Sequence, residues 1–296
     1  MSSSVRKVST LVSTKWLADQ LAQPSAPALR VLDGSFHLPF MKRNAFQEFC
    51  QGHITGAQFF DLDACSDKSS EYDHMLPPGE QFANYVGNLG IDNDTHIVVY
   101  DNNDTFGLFS AQRVWWTFRI FGHPLVSVLN GGLPAWKRDG YDLTDEIDKV
   151  DAKVFKAATR NDALIKSFEQ MKANVAEGCQ DFAVMDARPA GRFEGTSPEP
   201  RPGIKPGHMP STINVPFTAV IDEKTKLMKS PSQLKAMFKT KGVDLEKPLT
   251  ATCGSGVSAC MLALAAFECG REDVAIYDGS WTEWFNRAPL ELIKSS

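Results

Sequence analysis

The sequence predicts an α/β protein of two successive domains, each a parallel β-sheet flanked by helices. Three observations predict it. The chain repeats itself at an offset of about 150 residues, far longer than a solenoid period and the size of one compact domain. Within each half, short β-branched runs alternate with amphipathic stretches, the pattern of parallel strands joined by helical crossovers. A length of 296 residues is ample for real cores.

The repeat can be followed segment by segment. Residues 30–36 (RVLDGSF) match 183–189 (AVMDARP), and 52–62 (GHITGAQFFDL) match 207–217 (GHMPSTINVPF). Residues 78–92 match 230–244, 96–101 (HIVVYD) match 248–253 (PLTATC), and 128–140 match 276–288. A first helix is expected near Thr14–Leu21. Strands are expected at VLD, IVVYD and LVSVLN, and helices at GEQFANYVGNLG and SAQRVWWTFRIFG. Gly122 and Gly270 stand where a helix C-cap would fall. The expected organisation is a first domain over 10–141, a polar surface linker over 142–164 and a second domain over 165–296.

Composition excludes several classes of partner. The chain is 43% hydrophobic and 23% charged, with a net charge of -5 and no long run of one sign. Nothing there favours a nucleic-acid or membrane surface. No apolar segment approaches the roughly 18 residues of a membrane span. The first fifteen residues carry Arg6, Lys7 and Lys15 and no acid, a faint likeness to an organelle transit peptide. A short disordered start is the preferred reading. Six cysteines without paired spacing suit a reducing, intracellular setting rather than a disulfide framework. The location expected is cytoplasmic, with the mitochondrion as a second site.

The chemistry is expected at Cys253. It ends an apolar run and is followed by Gly254, Ser255, Gly256, Val257 and Ser258, then by the apolar helix ACMLALAAFECG. In open parallel sheets, ligands bind beyond the carboxyl ends of the strands. The glycines leave the backbone bare, so the amides of residues 254–258 can turn inward as an anion nest at a helix N-terminus. A thiol in such a setting is acidified, to a pKa of roughly 3.5–7.5. Cys260 and Cys269 on the following helix read as packing residues. A cysteine-phosphatase loop would need an arginine at position 259, and Ala259 stands there.

The loop CGSGVSAC, its five-residue length and the duplicated domain together resemble the rhodanese superfamily of sulfurtransferases. The resemblance covers nearly the whole chain and implies two tandem rhodanese-like domains, the second catalytic. DARPAGRFEGTSPEPR (186–201) and FFDLDACSDKSSEYDHMLP (59–77) look like the family's substrate-binding and first-domain segments. Within the superfamily the uncharged loop is similar to that of members using 3-mercaptopyruvate; members using thiosulfate carry basic residues after the cysteine.

Charge placement agrees independently. Thiosulfate is a dianion held at the sulfur centre, whereas mercaptopyruvate carries its carboxylate to one side. Arg192 and Arg201 would supply the positive charge there. The resemblance further implies a Cys253 persulfide, held by Gly254, Gly256, Val257 and Ser258, and a Ser255–His74–Asp63 proton relay. It implies ping-pong transfer to a thiol or cyanide, with thioredoxin as the family-based acceptor and no metal or organic cofactor. Ser258 stands where many relatives have Thr, and Pro202 restricts the backbone of Arg201.

In the first half, Asp101 occupies the slot of Cys253. A carboxylate cannot carry a persulfide, so this half is expected to be silent and to wall the cleft. The acidic stretch 61–73 has Cys65 and Ser66 where a calcium loop needs an oxygen ligand and a glycine. Cys50, His53, Cys65 and His74 fit no standard zinc spacing, and His53 and His208 share a repeat position, which suggests a structural role. Trp115, Trp116, Trp136, Trp281 and Trp284 read as core. The rival functions are a thiosulfate sulfurtransferase, a non-catalytic rhodanese-like binding module and a peroxide-sensing thiol protein.

Overall fold

The β-branched runs form strands and the apolar-periodic stretches form helices, as the alternation predicts. The structure, a computed structural model, describes residues 8–23 and 28–295. The basic residues Arg6 and Lys7 lie outside the described residues. In the first half the strands are β1 (Leu11–Val12), β2 (Leu29–Asp33), β3 (Gln58–Phe59), β4 (His96–Tyr100) and β5 (Val126–Leu129). In the second they are β6 (Ile165–Lys166), β7 (Ala183–Asp186), β8 (Ile213–Asn214), β9 (Leu249–Thr252) and β10 (Ala275–Tyr277). The sheet orders are β1-β5-β4-β2-β3 and β6-β10-β9-β7-β8, the same permutation twice. Every neighbouring pair is parallel. The direction of winding reverses beside β4 and beside β9, so both central strands end at the crevice where such sheets bind ligands.

The first half carries α1 (Thr14–Leu21), α2 (Ala45–Gln51), α3 (Gly79–Asn88), α4 (Ala111–Ile120) and α5 (Gly132–Arg138). The second carries α6 (Phe168–Ala176), α7 (Ala190–Glu194), α8 (Pro231–Thr240), α9 (Ala259–Glu268) and α10 (Ser280–Arg287). Local sequence sets several starts. Ser167 with Gln170, and Ser230 with Gln233, form reciprocal capping boxes on α6 and α8. Gly122 and Gly270 adopt φ of 78° and 93° just past α4 and α9, as expected of helix-ending glycines. Among the described residues no helix is long and apolar enough to cross a membrane.

The two domains share one apolar core. Helices α4 and α9, equivalent in the repeat, pack against each other. Both are buried almost end to end, and Trp115 meets Phe267 edge to face at 5.5 Å between ring centroids. Burying two near-continuous apolar helices this way fixes the domains side by side and brings loops of the first onto the strand ends of the second.

The linker does more than cross the surface. Its amides at Lys153, Ala158 and Asn161 donate to carbonyls of Gly87, Phe121 and Ile120. Phe155 inserts into the first core, 5.6 Å from Phe82. Gly87 admits the strand of chain, since a Cβ there would collide with the Lys153 carbonyl. One aromatic residue in a polar run is a weak sequence signal, which is why the segment reads as surface.

His53 and His208 do play one shared structural role. Each ring donates through Nδ1 to a preceding carbonyl at 2.8 Å, Phe49 and Phe193 respectively. Each stacks on that same phenylalanine, at 4.0 and 4.1 Å. No cluster of three metal-ligating side chains occurs among the described residues. All five tryptophans read as core are buried.

Candidate active site

Cys253 directly follows β9 and is 2% exposed. Its amide donates to Ser280 Oγ at 3.2 Å, and its carbonyl accepts from the Trp281 amide at 2.9 Å. The Gly254 carbonyl accepts from the Thr282 amide at 3.1 Å and from Thr282 Oγ1 at 2.8 Å. The Gly256 carbonyl accepts from Arg113 Nη1 at 3.3 Å. In a trans peptide the C=O of one residue and the N–H of the next point oppositely. Three carbonyls tied outward therefore turn the amides of Gly254, Ser255 and Val257 the other way. None of the amides from Gly254 to Ser258 donates to an acceptor among the described residues. The loop is thus a preformed nest of donors around the sulfur, beside the N-terminus of α9.

The first domain shows what such a nest holds. Asp101 directly follows β4, as Cys253 follows β9. Its Oδ2 accepts from the amides of Phe109, Ser110 and Ala111 at 2.8, 2.7 and 2.8 Å. A carboxylate fills the position that the second domain leaves to its cysteine. The first loop is also longer: α4 opens at Ala111, α9 at Ala259.

A cavity of about 240 Å³ opens above Cys253, lined also by Gly254, Ser255, Val257 and Ser258. Gly256 is the exception among the loop residues expected to meet substrate. It does not line the cavity, because its backbone, at φ 76°, backs onto Arg113 and Asp278. The facing wall comes from the first domain, with Phe36, Leu38, Phe40, Met41 and Phe106. The first half therefore contributes a wall, as its sequence suggests.

Three arginines border the cavity, and they differ. Arg188, which sequence reading missed, is 1% exposed. It spans Asp186 and Glu199 (2.8 Å to Glu199 Oε1) and lies over the Trp281 ring at 4.3 Å. Two acids neutralise it, so it braces the segment rather than offering charge. Arg201 donates Nε to Asp73 Oδ2 at 2.7 Å, a first-domain partner that its sequence context did not reveal. Its other guanidinium nitrogens have no hydrogen-bond acceptor among the described residues, and Nη1 lies 3.5 Å from where a Cβ on Gly254 would stand. Arg192 lines the same cavity on α7 and has no acidic partner among the described residues.

The residues of the expected relay come together. His74 Nδ1 lies 3.1 Å from Ser255 Oγ, and its Nε2 lies 3.2 Å from Asp63 Oδ1. An ionised carboxylate only accepts, so the ring carries its proton on Nε2 and Nδ1 accepts from the serine. The hydrogen bond from His74 also holds Asp63 below the usual carboxylate range. His74 adopts φ 63°, uncommon for a non-glycine residue, and it packs edge-on to Phe36 at 4.7 Å.

A model of the rhodanese-like domain matches residues 13–139 and again 167–287. The chain belongs to the rhodanese family. The human 3-mercaptopyruvate sulfurtransferase is 50% identical over 286 residues, 96% of this chain and 95% of that one. The bovine thiosulfate sulfurtransferase is 51% identical over 283 residues, 95% and 93% of the two chains. Among solved structures, SseA from Escherichia coli, a 3-mercaptopyruvate sulfotransferase, superposes with a TM-score of 0.81 at 36% identity, covering 93% of this chain and 99% of that one. Overall identity thus places a rhodanese chain equally near two substrates. The residues around the sulfur have to separate them.

Proposed function

We propose that this chain moves sulfur from 3-mercaptopyruvate through a Cys253 persulfide to a thiol or cyanide acceptor, releasing pyruvate. One observation carries the choice of donor. The loop around the sulfur is uncharged, and the available cations, Arg192 and Arg201, stand to one side of it. A dianion concentrated at the sulfur is poorly served by that layout; a keto acid with its charge away from the sulfur fits it.

The Cys253 thiolate attacks the thiol sulfur of the substrate. A sulfur–sulfur bond forms as the carbon–sulfur bond breaks, and the electron pair moves onto carbon as pyruvate enolate. Arg192 and Arg201 hold the carboxylate and carbonyl and stabilise the enolate oxygen. Ser255, backed by His74 and Asp63, exchanges the proton that the sulfur and the enolate require. The amides of Gly254, Ser255 and Val257 stabilise negative charge on the persulfide. An acceptor thiolate then takes the outer sulfur, and Cys253 leaves as thiolate. Two separate transfers imply ping-pong kinetics.

The acceptor must reach a sulfur at the bottom of the cavity, which suits a small thiol or a thiol on a narrow protein projection; a thioredoxin is the protein we favour. All six cysteines are free, consistent with a reducing compartment, and we place the protein in the cytoplasm, with the mitochondrion as a second site. Initial rates of pyruvate and thiocyanate formation, with 3-mercaptopyruvate and thiosulfate each varied against cyanide, test the reading. It predicts parallel double-reciprocal lines and a kcat/KM well above that of thiosulfate. A higher kcat/KM with thiosulfate would replace it by the thiosulfate reading.

A further inference from the structure

We propose that Arg113 is a positioning residue that locks the Cys253 loop and the His74–Ser255 relay to each other across the domain boundary; this rests on the sulfurtransferase reading above. Arg113 sits in the first turn of α4, in the silent domain, yet its side chain is directed at the catalytic one. That side chain is 3% exposed. Nη1 donates to Asp278 Oδ1 at 2.6 Å and to the Gly256 carbonyl at 3.3 Å. Nη2 donates to the carbonyl of His74. Asp278 closes the figure from the other side, where Oδ2 accepts the Leu76 amide at 2.8 Å.

Each contact has a consequence for the chemistry. Holding the Gly256 carbonyl turns the Val257 amide toward the nest. Holding His74 on one side and Leu76 two residues later fixes a stretch of chain whose φ at His74 is 63°. Such a conformation persists only where the surroundings over-determine it. One guanidinium therefore sets both the amides and the imidazole that act on the same sulfur. Burial works against the charge on Arg113, but Asp278, together with the nearby Cys260 and Cys253 sulfurs, more than reverses this and holds the guanidinium above its ordinary range. The forked, planar donor set explains why arginine stands there: one group serves three acceptors in fixed directions. Gly256 matches it, because a Cβ at that position would stand 2.9 Å from Nη1.

A buried ion pair need not raise stability, since well-packed apolar groups often do as well. A structural brace and a positioning residue can therefore be told apart. The variant is Arg113→Met with Asp278→Asn, which removes both charges together and leaves an acceptor for Leu76. Two readouts are taken on it. One is the rate at which iodoacetamide alkylates Cys253 without substrate, which reads the loop. The other is kcat and KM for 3-mercaptopyruvate, with and without Ser255→Ala, which reads the relay. We expect slower alkylation, kcat lowered about tenfold with KM nearly unchanged, and a clearly smaller loss once Ser255 is already absent. Should the double variant fail to fold, Arg113→Lys carries the same two readouts with the charge kept and the fork lost. An unchanged alkylation rate, or an equal loss of kcat in both Ser255 backgrounds, overturns the proposal. A wild-type protein inactive on 3-mercaptopyruvate would instead overturn the donor assignment, and the alkylation rates would still read Arg113.

Discussion

His74 lies 3.1 Å from Ser255 although 181 residues separate them and they belong to different domains. In the proposed reaction the first domain is thus part of the catalytic apparatus: it supplies the imidazole and the carboxylate that orient the serine. Ser255→Ala and His74→Asn are expected to lower kcat for pyruvate release by about 100-fold, the usual scale for a lost acid–base group. KM should change little, and the two losses should not multiply when combined. Steady-state kinetics on the singles and the double check this; fully multiplicative losses would break the relay.

Arg192 presents its charge to the cavity without an acidic partner among the described residues, so its loss should be felt by substrate and not by the fold. Charge-assisted hydrogen bonds of this kind contribute about 1.5–3 kcal/mol. Arg192→Gly should therefore lower kcat/KM for 3-mercaptopyruvate by about 10- to 100-fold, with a thermal midpoint close to the wild type. Unchanged kinetics would remove Arg192 from the substrate clamp.

The two loop glycines should respond oppositely. Gly254 has open space at ordinary contact distance from Arg201, and Gly256 has a positive φ and Arg113 at its back. Gly254→Arg should fold and should shift the ratio of kcat/KM toward thiosulfate, because it puts a cation beside the sulfur. Gly256→Ala should lose most activity and some stability, since it combines strain with a clash. Parallel donor assays and thermal melts separate the two outcomes; a Gly256→Ala enzyme of normal activity would contradict the account of the loop.

Asp33 follows a different logic, away from the cavity. It ends β2 in the first domain, where burial pushes its carboxyl up to about 7, against hydrogen bonds from Ser35 and Tyr100 that lower it. The folded chain then keeps a proton that the unfolded chain releases near the ordinary carboxylate value. Its contribution to stability is present at low pH and is lost as pH rises from about 4 to about 7. Asp33→Asn removes that dependence. Urea midpoints across this range should show the variant gaining on the wild type as pH rises; a constant difference would refute the shift.

What the sequence discloses follows the range of the interactions. The doubled fold, the strand–helix alternation, α1 and the Cys253 loop are all written in neighbouring residues, and each is found where expected. Asp63 and His74 are reached through family resemblance alone, and Arg192 and Arg201 through it together with the charge layout of the substrate, because nothing local marks them. Arg113, Asp278 and Asp73 are missed altogether. Their partners lie 165 residues away for Arg113 and Asp278, and 128 for Asp73 and Arg201. An arginine inside an apolar helix was the one available signal. Arg113 interrupts the α4 face between Ala111 and Val114, and a charge buried there needs a partner. The capping role of Asp101 was also legible in principle, as an aspartate between a strand end and a helix start is a natural acceptor for helix amides.

In the proposed reaction Cys253 carries sulfur taken from 3-mercaptopyruvate. The most direct measurement is the intact mass of the protein after mixing with this donor, without acceptor, alongside Cys253→Ser and alongside thiosulfate. One added sulfur atom on the wild type, with an equivalent of pyruvate released, none on Cys253→Ser, and slower loading from thiosulfate is the predicted result. Sulfur retained by Cys253→Ser, or a wild-type chain that loads from thiosulfate and not from 3-mercaptopyruvate, would contradict it.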